Sequence, residues 1–340
     1  MKKAVMGFFV TVLITTALFA QGGVDGTNKK SGKVYEIKLV TSNGSEDINV
    51  KMFKKYAGII KEKTNGNVDI QIYPGGEILM GDEGIEAVMA NAAVISFNDL
   101  DVMADYVPEF SSVCAAFLWD GATTMENFAK TETYDKLIRI GDKKGVHVIA
   151  GTFCVGSRNI FAGGTEVYDV ADAAKLNIRI PNVSSYVDTF NAFGANYSAI
   201  SWSAGVTACE TGMLNGAECT VQRAAVSGLA QILKNPVYSM IKWRNAMVGL
   251  YCGAGFWNTL PIEYRTIITE EFTKCAHETN KMIEAEEDGY LQSLKNQGVK
   301  IIPYEDINIE SFKTAARSVN EKFPMFSEVS LAVGKIQSSK

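Results

Sequence analysis

Histidine is nearly missing from this chain: two occur in 340 residues, His147 and His277. Neither stands at ligand spacing with a cysteine, so a zinc site is not expected. The same scarcity disfavours a Ser-His or Cys-His nucleophile. No CxxC pair exists among the six cysteines at 114, 154, 209, 219, 252 and 275. Their wide spacing and apolar contexts, such as Val113-Cys-Ala-Ala-Phe, predict buried free thiols. Also missing are the P-loop, a GxGxxG after a strand and GxSxG, so no nucleotide or hydrolase site is indicated and no cofactor is expected. The formal net charge is −5 and no basic stripe is visible, which argues against a nucleic-acid partner. Beyond the first twenty residues, no apolar run approaches a membrane span.

Those first residues read as an export signal. Lys2 and Lys3 supply the positive start, Ala4 to Phe19 an almost unbroken apolar run, and Ala20 the small residue before cleavage. An uncleaved anchor is the alternative reading. Residues 21–33 are polar and glycine-rich, a flexible leader. The mature protein is thus expected to be extracytoplasmic. The hydrophobic fraction of the full chain, 47%, is ample for cores, and its length suggests two domains.

Strand-like and helix-like patterns alternate along the chain. Val34 to Ser42 alternates as a strand, and Asn49 to Thr64 carries a helical apolar face. Val68 to Tyr73 alternates again and stops at Pro74-Gly-Gly. Glu83 to Ala92 reads as helix and Ala93 to Phe97 as buried strand. This is the βαβ grammar of a parallel sheet. It restarts with strands at 146–150, 176–180, 197–201 and 217–221, and helices at 184–193 and 203–213. Two such sets predict two α/β lobes. Residues 262–297 sustain a helical pattern without a proline, long enough to run along both lobes as a spine. A strand at 299–302 and a helix or two over 311–326 close the chain.

The segment Leu176-Asn-Ile-Arg-Ile-Pro181 is the most informative. Leu176, Ile178 and Ile180 share one face of a strand, and Arg179 points to the other. An arginine held on a strand just before a helix suits a carboxylate, which its planar fork grips with two charge-assisted hydrogen bonds. The competing reading is an arginine paired with a neighbouring Asp or Glu.

A set of motifs follows in order: Phe53 to Gly66, Tyr73-Pro-Gly-Gly76, Gly81-Asp-Glu83, Val107-Pro-Glu-Phe110, Ala115-Ala-Phe-Leu-Trp119, Gly156-Ser-Arg158, Asn177-Ile-Arg-Ile-Pro181, Phe193-Gly-Ala-Asn196, Asn215-Gly-Ala-Glu218 and Phe256-Trp257. In this order they resemble the extracytoplasmic solute-binding proteins of TRAP (tripartite ATP-independent periplasmic) transporters, over essentially all of the mature chain. The resemblance implies a two-lobed periplasmic-binding-protein fold with a long spine helix. Lobe I would comprise 34–155 plus 245–283, and lobe II 156–244 plus 284–340. It implies hinge closure on a small organic acid, delivery to membrane subunits, a monomer, and no catalysis. A ligand-presenting sensor subunit and an ABC-type binding protein are the alternatives.

By the same resemblance Arg179 holds the ligand carboxylate and Arg158 assists. Cys219 stands where the family usually has asparagine, and Ala204 where it commonly has glutamate. These departures point away from a highly hydroxylated acid. A monocarboxylate is expected, with sugar, aromatic, keto and dicarboxylic acids all open. Asn43 and Glu83 are the candidate first-lobe contacts, and Asn98, Trp119, Phe153, Trp202 and Trp243 the candidate pocket walls.

Overall fold

The computed structural model describes residues 33–79 and 82–339. The expected signal peptide and all but the end of the leader lie outside the described residues. Along the chain run β1 (Tyr35–Val40), β2 (Val68–Tyr73), β3 (Val94–Asp99), β4 (Val146–Phe153), β5 (Arg158–Gly163), β6 (Asn177–Ile180), β7 (Asn196–Ala199), β8 (Gly216–Thr220), β9 (Pro236–Arg244), β10 (Val248–Gly253) and β11 (Lys300–Ile302). They form two sheets, ordered β2-β1-β3-β10-β4 and β11-β9-β5-β8-β6-β7. In the first, β1 is parallel to β2 and β3, and β10 enters antiparallel between β3 and β4. In the second, β6 is parallel to β7 and β8, while β5 runs antiparallel to β8 and β9. The two-lobed α/β architecture expected from the sequence is present.

The helix Ile48–Lys63 shows how these elements form. Asp47 caps it by accepting from the Asn49 backbone N–H at 2.8 Å, and Lys61 and Lys63 complement its C-terminal dipole. Val50, Phe53, Ala57 and Ile60 line its buried face at helical spacing. Phe53 meets Phe97, Phe153 and Phe272 edge-on, at 4.8, 5.6 and 6.4 Å between ring centres. This cluster ties the helix, β3, β4 and the longest helix into one core. Each such pair adds about 0.5–1.5 kcal/mol beyond its burial.

The longest helix, Ile262–Asn296, is the expected spine. Ile268, Phe272, Cys275 and Ala276 are buried in the first-sheet core, while Leu294 is buried in the second-sheet core. No residue from 281 to 293 is fully buried, so the middle of the helix bridges the two cores. The chain also crosses between sheets at residues 154–157 and 245–247. Strands β9 and β10 were not delimited by sequence patterning. β10 is buried throughout and so does not alternate, and β9 carries Lys242 at a positive φ of 45°. The final helix, Phe326–Ser338, falls within the segment assigned to lobe II by sequence. It packs instead on helices Ala122–Phe128 and Glu132–Lys143, burying Val329 and Val333 beside Phe110 and Phe128. Its apolar stripe finds a complementary groove there, whereas helix Ile309–Asn320 packs on Ser184–Ala192 as part of the second lobe.

Candidate functional site

Ligands of open α/β sheets bind outside the carboxyl ends of parallel strands. In the second sheet β6, β7 and β8 run parallel; Arg179 lies near the carboxyl end of β6, and Arg158, at the start of antiparallel β5, lies opposite Thr220 at the carboxyl end of β8. Arg179 on β6 lies in register with Ser198 on β7 and Ala217 on β8. Both neighbours are small, and no acid stands beside it on that face. Helix Trp202–Glu210 covers the side chain. Gly205 of that helix touches the stem, and a Cβ there would overlap Arg179 Cγ. The Nε–H donates to the Ile200 carbonyl at 2.8 Å, and the guanidinium lies 5.5 Å from the Trp202 ring centre. Arg179 is 7% exposed. Burial lowers its pKa to about 10, with nearby Glu218 opposing and Arg158 adding to the shift. It is therefore charged at neutral pH. Among the described residues its Nη groups have no hydrogen-bond acceptor and no carboxylate within ion-pair distance.

Arg158, at the start of β5, is in the opposite situation. Its Nε and Nη2 donate to the two oxygens of Glu218 at 2.5 and 2.7 Å, a bidentate pair. Glu218 is fully buried and also accepts from the Trp243 indole at 3.2 Å. Burial works against the charge on Arg158, but Glu218 outweighs it and holds the group above the usual arginine range. Cys219 is buried beside them. Desolvation, reinforced by the Glu218 charge, pushes its thiol up to about 12, so it is neutral and unreactive at physiological pH.

A second network joins the two sheets. Arg244, 1% exposed at the end of β9, donates to Asp101 at 2.5 Å, to Ser185 at 3.0 Å and to Asp99 at 3.4 Å. Ser185 also donates to Asp101, and Tyr186 donates to Asp99 at 3.1 Å. The Tyr186 ring lies 4.3 Å from the Arg244 guanidinium and 5.3 Å from that of Arg158. Asp99 ends β3, so first-lobe carboxylates reach the arginine cluster of the second lobe. Burial raises the Asp99 pKa against the pull of Arg244.

The expected site residues divide accordingly. Arg179, Cys219 and Trp202 lie on one face of the second sheet, while Arg158 pairs with Glu218 on the other, where Trp243 also donates to Glu218. Trp243 itself is fully buried against Tyr186, Phe190 and Phe193. Phe153 lies in the first-lobe aromatic core. Trp119 is also core, its indole N–H donating to the Val113 carbonyl at 2.7 Å. Asn98 is exposed next to Asp99, whose N–H it accepts at 2.9 Å. Asn43 sits in the loop after β1, its carbonyl accepting from Gly75 at 2.7 Å, and Glu83 is exposed at the start of helix Asp82–Met89. Arg223, Arg244 and Tyr186 were not among the residues singled out. Nothing in the mixed polar and apolar stretch 217–225, which also carries Glu218, marked Arg223 out.

Among the described residues no cluster of His, Cys, Asp or Glu could hold a metal, and no helix is long and apolar enough to cross a membrane. All six cysteines are free and buried. Both histidines line a groove of about 860 Å³ between β4 and the long helix. His147 stacks on Trp257 there and His277 contacts Glu126 at 2.9 Å. None of the clustered arginines lines that groove.

Comparison with known proteins bears on this arrangement. The C4-dicarboxylate-binding periplasmic protein DctP of Rhodobacter capsulatus is 21% identical over 245 residues, covering 72% of each chain. A TRAP periplasmic solute-binding protein of Desulfovibrio salexigens, solved with diglycerolphosphate, superposes with a TM-score of 0.84 at 23% identity. It covers 91% of this chain and 99% of its own. Another from Fusobacterium nucleatum, solved with sn-glycerol-3-phosphate, gives 0.83 at 25% identity, over 90% of this chain and 99% of its own. The model for bacterial extracellular solute-binding proteins, family 7, matches residues 39–325, which span all but the start of β1 in the two sheets, the arginine cluster and the whole spine. The chain belongs to that family, the binding proteins of TRAP transporters.

Proposed function

We propose that this protein binds a small organic acid between its lobes, with the acid's anionic group on Arg179, and delivers it to TRAP membrane subunits. The observation that carries this reading is the difference between three arginines of the second sheet. Arg158 and Arg244 each hold a carboxylate of the protein, whereas Arg179 has none among the described residues. A buried guanidinium is costly without a counter-charge, so an incoming anion stabilises what folding leaves uncompensated. The named or bound ligands of the relatives, a C4-dicarboxylate, diglycerolphosphate and sn-glycerol-3-phosphate, are all anions.

Trp202 forms part of the wall beside Arg179. Asn43, Asn98 and Glu83 supply contacts from the first lobe when it approaches. Trp119, Phe153 and Trp243 act from the core behind the walls. The moving bodies are lobe I, 34–155 plus 245–283 together with the final helix, and lobe II, the remainder from 156. The hinge lies at 154–157, 245–247 and the spine. Closure expels water and lowers the dielectric around the ion pair, strengthening it. The protein acts as an exported monomer, released by signal-peptide cleavage, and catalyses no reaction.

The test is a thermal-shift screen against organic acids with Arg179→Ala in parallel. A ligand at 100 times its Kd adds about 2.7 kcal/mol of stability. One acid class should shift the wild type and leave the variant unmoved. An equal response in the variant would show Arg179 to be structural.

A further inference from the structure

We propose that Arg223 is a second anion-binding group of this site, and that the ligand is a dianion whose two charges are shared between Arg179 and Arg223. This rests on the reading of Arg179 given above. Arg223 lies on the short helix Val221–Val226 that follows β8 directly. The helix packs on the spine, and Thr220 caps it by accepting the Arg223 N–H at 3.3 Å, so the residue's place is fixed. Its guanidinium lies 5.2 Å from the centre of the same Trp202 ring that Arg179 approaches at 5.5 Å. One indole therefore marks both cations.

The charges around that ring do not balance. Arg158, Arg179 and Arg223 cluster about Glu218 and Cys219, and Glu218 is committed to Arg158. The Cys219 thiol is neutral. Like Arg179, Arg223 has no carboxylate within ion-pair distance among the described residues. Burial weakens its hold on its proton, and Arg158 repels it. The acid that faces it from another element is Asp47 of the first lobe. That carboxylate is engaged with the Asn49 backbone and side-chain N–H groups, at 2.8 and 2.9 Å. A monoanion would compensate one of the two unpaired cations. A dianion compensates both, and each bond it adds is charge-assisted. Dicarboxylates and phosphate monoesters share this chemistry.

Calorimetry at pH 7.5 with two matched pairs separates the sources: succinate against succinamate, and sn-glycerol-3-phosphate against glycerate. In the pair that binds, the dianion should bind about tenfold tighter or more, the worth of an added hydrogen bond between charged groups. Arg223→Gln should abolish that preference by weakening the dianion about tenfold more than the monoanion, and Arg223→Lys should restore part of it. Arg179→Ala should abolish binding of both members. A monoanion that binds as well as its dianion overturns the inference. So does an Arg223→Gln variant that weakens both members equally, since that marks a structural arginine. If none of the four binds, but monoanionic acids bind through Arg179, the dianion inference fails and the Arg179 reading stands. If no acid of either charge depends on Arg179, both fall.

Discussion

Gly205→Ala tests how Arg179 is held. Gly205 is inside helix Trp202–Glu210, and a Cβ there would overlap Arg179 Cγ and stand 2.9 Å from its Cβ and 3.1 Å from its Cδ. These atoms are the root of the side chain. β6 fixes one end and the 2.8 Å bond from Nε to Ile200 fixes the other, so the stem has no room to swing aside. Two effects then oppose each other in stability. Alanine gains about 1 kcal/mol of helix propensity over glycine. Overpacking costs about 1–3 kcal/mol. The net change in the unliganded protein is within about 2 kcal/mol, a few degrees in Tm. Binding has no such compensation. Moving the fork by ~1 Å spoils two parallel bonds to the anion, each worth about 1.5 kcal/mol. That is roughly a hundredfold in Kd. The assay is calorimetry with the acid that most stabilises the wild type, beside thermal melts of both proteins. A Gly205→Ala protein that melts higher than wild type and binds with unchanged Kd would refute the packing of this helix on Arg179.

Three further outcomes follow from the same geometry. Glu218→Gln leaves Arg158 buried without its counter-charge and should cost about 3 kcal/mol in urea denaturation; a loss below 1 kcal/mol would mean the pair is not formed. On the proposed reading the anion binds the protonated form of Arg179, whose pKa burial lowers to about 10, so affinity should be flat from pH 7 to 9 and fall by about tenfold per pH unit above 10. Calorimetry across that range checks it, and affinity rising with pH would contradict it. Burial of all six thiols, with Cys154 raised to about 11 and Cys219 to about 12, predicts no alkylation by iodoacetamide in the native state and six adducts after denaturation. Mass spectrometry reads the number directly.

Much of this fold was legible because its local signals agree with its tertiary use. The helix 48–63 has an apolar stripe, a capping aspartate and terminal lysines, and all three point to one element. The spine was legible because no proline interrupts it. β9 and β10 were not, for different physical reasons. β10 is buried on both faces and loses its period of two, and β9 bends through a positive φ at Lys242. The last helix, Phe326–Ser338, runs beyond the helical reading of 311–326, and its packing was not legible because an apolar stripe specifies burial and not its partner. In the site, Arg179 stood out because strand alternation and Pro181 frame it. Arg223 has no such frame. Its significance depends on Trp202 and on the absence of a nearby acid, and both are facts of tertiary packing. Aromatic residues were the poorest guide. Phe153, Trp119 and Trp243 fill cores, and of the four tryptophans only Trp202 meets both unpaired arginines.

The contrast between Arg158 and Arg179 comes down to the pleat of β8, which lies between β5 and β6. Side chains alternate faces along a strand, and residues directly opposite on adjacent strands share a face. Arg158 is opposite Thr220, and Ile160 is opposite Glu218, so Arg158 and Glu218 share a face and can pair. Arg179 is opposite Ala217, which puts it on the other face with Cys219, where helix Trp202–Glu210 covers it. No acid is present on that face of β8. A one-residue slip of β6 against β8 would bring Arg179 to the face of Glu218, where it would compete with Arg158 for one carboxylate. The register therefore sets the electrostatics: one arginine is neutralised within the fold and the other stays unpaired. The apolar residues Ile178 and Ile180 fix that register by burying the opposite face of β6 in the second-lobe core, and in the proposed function a ligand anion takes up the charge that the pleat leaves open.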